Sequence, residues 1–262
     1  MDLELVGKTA LVTGGSRGIG RAVAAGLAGE GCRLHLAGRT LADLEDARRE
    51  ILALHQVDVA LHAIDLSEQG AAPRLAAACG QLDILVNNAG AIPGGSIDLI
   101  DDRTWKRAWD LKVFGYVGLM REVLARMQER GQGVIVNVIG TGGERPAAHY
   151  IAGAGANSAL MAMTRALGSA SVEHGVRVVG VNPGLVETDR MVTLLSQRAR
   201  ERFGDAGRWR ELLDEMNLPF GRPARSSEVA DIVCFLASSR ASYISGTIVT
   251  IDGGAVGRSR AF

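Results

Sequence analysis

The stretch Thr13-Gly14-Gly15-Ser16-Arg17-Gly18-Ile19-Gly20 constrains this chain more than any other. An apolar run, Thr9-Ala10-Leu11-Val12, precedes it, and a helix-like run from Arg21 to Ala28 follows. A strand, a glycine-rich turn and a helix in that order make a dinucleotide cradle. Gly14 permits the tight turn, Gly18 lets the backbone approach a pyrophosphate, and Gly20 lets the helix pack closely on the strand. Ser16 and Ile19 complete the loop. The free N–H groups and positive dipole end of the helix then face the phosphates.

The rest of the chain is consistent with a single α/β domain over residues 1–262. It has 262 residues without a composition break, and 47% of them are hydrophobic, enough for a sizeable core. Formal net charge is zero, which argues against nucleic acid or a membrane surface as partner. No apolar run reaches the roughly 18 residues of a membrane span. The start, Met1-Asp2-Leu3-Glu4-Leu5, is acidic and has no signal-peptide pattern, so a cytoplasmic location is expected. Cys32, Cys79 and Cys234 stand far apart and read as buried small hydrophobes. The five histidines, His35, His55, His62, His149 and His174, form no ligand pair at helical or hairpin spacing, and no metal site is expected.

Strand-like runs alternate with amphipathic ones. Strands are expected near 8–13, 33–38, 58–63, 82–86, 133–138, 176–181 and 247–251, and helices near 18–30, 41–54, 67–79, 102–130, 155–173 and 226–238. Runs such as Ile84-Leu85-Val86 and Val134-Ile135-Val136 are apolar without alternation, as strands buried on both faces are. The alternation predicts a Rossmann-type, doubly wound parallel sheet of about seven strands with helices on both faces. Residues 189–218 break the rhythm with a long charged helical insertion, expected as a lid-like substrate region. Its arginines lie among Asp189, Glu201, Asp205, Glu211, Asp214 and Glu215, which reads as charge pairing on a solvated face.

Ligands of open α/β sheets bind at the carboxyl ends of the strands. The second strand ends in Gly38-Arg39, where an acidic residue would accept from the 2′-hydroxyl of NAD(H). A guanidinium at Arg39 suits a 2′-phosphate instead, and Arg17 adds a second positive charge, so NADP(H) is favoured over NAD(H). Asp65-Leu66 is placed to contact the adenine. Asn87-Asn88-Ala89-Gly90 combines small residues for close approach with amides that pin neighbouring strands. Pro183-Gly184 forms a turn under the nicotinamide, and Thr188 reaches its carboxamide.

With these elements, and with Ile251-Asp252-Gly253-Gly254 near its end, the chain resembles the short-chain dehydrogenase/reductase family over nearly its full length. The resemblance implies a Rossmann-type fold, a nicotinamide dinucleotide, a small carbonyl or alcohol substrate, a substrate cleft roofed by residues 189–218, and a homotetramer or homodimer. Met120, Val123, Leu124 and Met127 have helical spacing suited either to such an interface or to the chain's own core. The resemblance also implies four catalytic residues: an Asn, a Ser, a Tyr and a Lys, the last two as Tyr-x-x-x-Lys.

None of the four matches. The Asn position, seven residues after Trp105, is Lys112. The Ser position is Gly140, with Thr141 next to it. The Lys position is Asn157 and the Tyr position Gly153, with Tyr150 three residues earlier and Ala154 four residues after it. In one reading Lys112 and Asn157 have exchanged places, Tyr150 is the proton donor and Thr141 replaces the serine hydroxyl, which makes the chain an oxidoreductase with a non-standard site. In the alternative, acid–base chemistry is lost and the protein is an NADP(H)-binding sensor or regulator. Different chemistry on the same scaffold is a third, weaker option. His149 reads as a loop histidine, Gly140–Pro146 as a flexible substrate loop or a plain turn, and Glu144 and Arg145 as a solvated pair.

Overall fold

The computed structural model describes residues 1–258. The apolar runs become seven parallel strands: β1 (Thr9–Thr13), β2 (Arg33–Gly38), β3 (Val59–Ala63), β4 (Ile84–Asn87), β5 (Gly133–Val138), β6 (Val176–Pro183) and β7 (Ile248–Ile251). They form one sheet in the order β3-β2-β1-β4-β5-β6-β7. The two-residue period of β1 sends Ala10 and Val12 to one face and Leu11 to the other. The first face is covered by α1 (Gly18–Gly29), α2 (Leu41–Leu54) and α9 (Ser226–Ala237), and the second by α3 (Ala71–Cys79), α5 (Gly115–Arg130) and α6 (Ile151–Ala170). The chain runs outward from β1 to β3, returns to β4 beside β1, and continues outward in the opposite sense. That reversal opens a crevice beyond the carboxyl ends of β1 and β4, the place where such sheets bind their ligands.

The helix expected over 67–79 begins only at Ala71, and two further departures fall beside the site. The helix expected over 102–130 is divided into α4 (Asp102–Trp109), a π-helical turn (Asp110–Phe114) and α5. The wider turn brings Lys112, a residue a solvated helix face would expose, into the interior at 9% exposure. The helix expected from 155 begins at Ile151. Its first turn is glycine-rich, which hides it from propensity. It is held by packing: Ala152 and Ala156 lie in a small apolar cluster with Ile92, Ile100, Val113 and both Trp105 and Trp109.

Residues 189–218 fold as α7 (Asp189–Phe203) and α8 (Trp209–Glu215) around Met191, Leu195, Ala199 and Leu212. The ion pairs Arg202–Glu215 and Arg208–Glu211 bear out the reading of a solvated, charge-paired face. Cys32, Cys79 and Cys234 are buried free thiols. Met120, Val123 and Met127 are buried in the chain's own core, which settles the use of that stripe. No helix among the described residues is long and apolar enough to cross a membrane.

Candidate active site

The cradle begins with Thr13 at the end of β1. Its buried Oγ1 accepts from the backbone N–H groups of Asn88 (2.9 Å) and Ala89 (3.0 Å), so the loops after β1 and β4 are tied together. The Asn88 amide returns a hydrogen bond to the Thr13 carbonyl at 3.0 Å. The Gly14 N–H donates to the Ala37 carbonyl of β2 at 2.8 Å. Gly18 takes φ 52°, a conformation glycine adopts without strain, and its α-carbon lies against Thr188. A Cβ on Gly20 would collide with the Gly14 carbonyl and the Asn88 amide. No side chain caps α1. The N–H groups of its first turn therefore stay available to an anion, and Ser16 lies on the same loop. Ile19 faces inward, packed against the core. A cradle a side chain would fill, lined with free N–H groups, fits a dinucleotide pyrophosphate.

At the end of β2, Arg39 is exposed and free of protein partners among the described residues, as a phosphate ligand must be. Arg17 pairs with Asp43 of α2 at 2.7 Å, with its side chain still exposed. A second cation lies near Arg39. Arg107 of α4 joins Arg39, Asp65, Ser67, Ala91 and Pro93 around a cleft of 310 Å³. Burial pushes the Asp65 carboxyl up, but two hydrogen bonds from Ser67 together with the charges of Arg39 and Arg107 outweigh it and hold Asp65 below the usual carboxylate range. The Leu66 side chain is buried in the α3–α5 core, which leaves only its backbone for a ligand. Arg107 has no sequence signal of its own; only the placement of α4 reveals it.

Beyond β4 and β5 lie Lys112, Asn157, Tyr150 and Thr141, the residues that the sequence offers for catalysis. The Lys112 ammonium donates to the Ile139 carbonyl at 2.6 Å, and the Asn157 amide donates to the next carbonyl, that of Gly140, at 3.2 Å. Two side chains from opposite helices thus hold consecutive peptide oxygens just past β5. The backbone of Gly90 covers the lysine stem: a Cβ there would lie 3.0 Å from Lys112 Cδ. Burial, and secondarily the charge of Arg190, lower Lys112 from 10.5 to about 7. Asn157 is 2% exposed and its Oδ1 has no protein partner.

Tyr150 sits at the N-cap of α6, one residue outside the helix. Its ring lies over Gly153, where a Cβ would run into the phenol. A Cβ on Gly142 would lie 3.2 Å from the Tyr150 ring and 3.3 Å from the Asn157 amide, so Tyr150 and Asn157 flank that glycine together. Neither the Tyr150 hydroxyl nor the Thr141 hydroxyl is bonded within the described residues. His149 is exposed and uses only its carbonyl, which accepts from Gly95. The Gly140–Pro146 segment is a fastened turn. Glu144 accepts from Asn182 and Thr250, rather than pairing with Arg145, whose guanidinium reaches the Ala255 carbonyl. Gly184, after Pro183, donates to the Ile251 carbonyl at 2.9 Å, and Thr188 caps α7 by accepting from the Met191 N–H. Asn87, Asn137 and Thr164 form a buried hydrogen-bonded row that fixes β4, β5 and α6 behind the site.

A seven-stranded parallel sheet with a glycine cradle at its switch point defines a Rossmann-type dinucleotide-binding protein. The short chain dehydrogenase family model matches residues 8–199, and the chain belongs to that family; it is an oxidoreductase. It is 30% identical over 257 residues to the NADPH-dependent reductase BacG of Bacillus subtilis, covering 95% of this chain and 98% of that protein. It is 34% identical over 256 residues to galactitol 2-dehydrogenase (L-tagatose-forming) of Cereibacter sphaeroides, covering 96% of each. The structure of L-sorbose reductase from Gluconobacter frateurii, complexed with NADPH and L-sorbose, superposes with a TM-score of 0.91 at 30% identity, over 99% of this chain and 100% of that one.

Proposed function

We propose that this protein is an NADP(H)-dependent oxidoreductase acting between a carbonyl and an alcohol on a small molecule, with a rearranged catalytic set. The bound cofactor supplies or accepts a hydride at nicotinamide C4. Gly14, Ser16, Gly18, Ile19 and Gly20 form the pyrophosphate cradle. Arg39, with Arg107, neutralises the 2′-phosphate, and Asp65 with the Leu66 backbone meets the adenine. Asn88, Ala89 and Gly90 allow close approach of the ribose, and Pro183, Gly184 and Thr188 seat the nicotinamide. Arg17 shapes this end through its Asp43 pair.

On the substrate side, the Tyr150 hydroxyl gives a proton to the substrate oxygen or takes one from it. Lys112 is the electrostatic partner of Tyr150, held at the end of β5 by the Ile139 carbonyl. Thr141 positions the substrate oxygen. Asn157 is a positioning group, its amide holding the Gly140 carbonyl. Residues 189–218 roof the cleft. The carrying observation is that Lys112 and Asn157, from two separate helical elements, hold the consecutive carbonyls of Ile139 and Gly140. Two polar side chains brought to one strand end support the reading that they have exchanged places and still serve the reaction. A cytoplasmic homodimer or homotetramer completes the proposal, and light scattering of the purified chain reads its mass.

The test is NADPH oxidation followed by absorbance over a panel of ketoses and other small carbonyl compounds. Lys112→Met and Tyr150→Phe are each expected to lower turnover about 100-fold or more while NADPH still binds. Turnover unchanged in both variants overturns the catalytic assignment. Saturable NADPH binding with no turnover across the panel would favour the sensor alternative.

A further inference from the structure

On β2 and β3, the strands that lead into Arg39 and Asp65, three residues that the proposed chemistry does not use come together. The register of β2 and β3 pairs His35 with Ala60 and Ala37 with His62, so the two histidines are diagonal neighbours on the face covered by α3. Their rings stack with centroids 5.1 Å apart and planes 21° apart. His35 Nδ1 lies 2.8 Å from His62 Nε2, and Cys79 Sγ lies 3.7 Å from the same Nε2. All three atoms fall within 4.8 Å of one another. Among the described residues this is the one group of such side chains with metal-ligand spacing.

We propose that His35, His62 and Cys79 form a binding site for a divalent, borderline-soft metal ion of the zinc class, with water completing a tetrahedral shell. Zinc bonds of about 2.0–2.1 Å to nitrogen and 2.3 Å to sulfur place tetrahedral ligand atoms about 3.3 Å (N···N) and about 3.6 Å (N···S) apart. The observed 2.8 and 3.7 Å differ from these by about half an ångström or less, a shift that side-chain rotation supplies. Two imidazoles and a thiolate select zinc, cobalt or copper over magnesium and calcium, which prefer oxygen. Cys79 is buried and both histidines are half-buried, so the thiol is sheltered while water reaches the fourth position.

The protons balance. A neutral imidazole has a lone pair for a metal. The ring that donates in the His35–His62 hydrogen bond moves its proton to its other nitrogen. Cys79 loses its proton to solvent as the ion replaces it, one proton released per ion bound. The occupied site would clamp β2, the edge strand β3 and the last turn of α3 to one another. None of its three ligands has a part in the proposed reaction, and metal binding is read directly, so it stands or falls independently of that reaction.

The experiment uses the tag-free chain, stripped with a chelator and titrated with Co²⁺, then Zn²⁺. Expected are one Co²⁺ per chain, a thiolate-to-cobalt charge-transfer band in the near ultraviolet, and displacement of that band by Zn²⁺. Cys79→Ser abolishes the band, whereas Cys32→Ser and Cys234→Ser keep it. His35→Gln and His62→Gln weaken Zn²⁺ binding about tenfold or more. Zn²⁺ raises the melting temperature of the wild type but not of His62→Gln. Absence of the band at saturating Co²⁺ overturns the site. So does a band that survives Cys79→Ser, or Zn²⁺ affinity unchanged in both histidine variants. Should Cys79→Ser fail to fold, the half-exposed histidine variants decide the matter by affinity alone.

Discussion

Lys112 concentrates the residue-scale physics of this protein. Its position seven residues after Trp105 is legible in the sequence, but its interior environment is not. The ammonium is removed from water and compensated by one carbonyl, with Arg190 as an additional repulsion, so its pKa falls from 10.5 to about 7. Below about pH 7 the lysine is charged in both folded and unfolded chains, and the full penalty of burying the charge opposes folding. Between about 7 and 10.5 the unfolded chain holds a proton that the folded chain has lost, so stability rises with pH. Urea unfolding of wild type and Lys112→Met across this range should show the difference moving in favour of the wild type as pH rises. A difference independent of pH would contradict the buried, neutralised lysine. Gly153 makes a second residue-scale prediction. Because the Tyr150 ring occupies the space above it, Gly153→Ala displaces the phenol. Turnover should fall by up to about 100-fold with little change in NADPH affinity, a split that steady-state kinetics and titration read separately. Arg107 shows the limit of reading single residues: nothing in the sequence around it differs from a solvated helix face, and only the position of α4 puts it opposite Arg39.

At the scale of elements, regular periodicity is legible and its interruptions are not. The seven strands appear within a few residues of their expected bounds because each is an apolar run ended by turn residues. The π-helical turn at Asp110–Phe114 is invisible to a 3.6-residue period, since inserting one residue in a long amphipathic segment leaves the pattern on either side intact. The first turn of α6 is likewise hidden, because its glycines argue against helix while its tertiary contacts impose one. The junction of β1, its turn and β4 gives an element-scale prediction. Thr13 Oγ1 is the acceptor for two backbone N–H groups in a buried position. Thr13→Val keeps the shape and removes the acceptor. It should cost about 2 kcal/mol or more in urea unfolding and weaken NADPH binding, whereas Thr13→Ser should retain most of both.

For the whole molecule, the order of the strands decides where the cofactor cradle lies, because the switch between β1 and β4 opens a crevice at the carboxyl ends of the strands, where Gly14–Gly20 and Arg39 stand. A ligand that binds only the folded chain stabilises it by about 2.7 kcal/mol at 100 times its dissociation constant. NADPH should therefore raise the melting temperature more than NADH at equal concentration, and Arg39→Ala with Arg107→Ala should erase the difference. Equal shifts from both cofactors in the wild type would remove the case for a 2′-phosphate site. The sequence by itself determined the parallel doubly wound sheet and the glycine cradle, because these depend on local period and on turn chemistry. The tertiary structure alone decided that Arg17 pairs with Asp43, that Arg107 joins Arg39, that Lys112 and Asn157 meet on adjacent carbonyls, and that His35 and His62 meet Cys79. Each of these is a contact between residues distant in the chain, and such contacts exist only once strand order and helix placement have brought separate elements to one point.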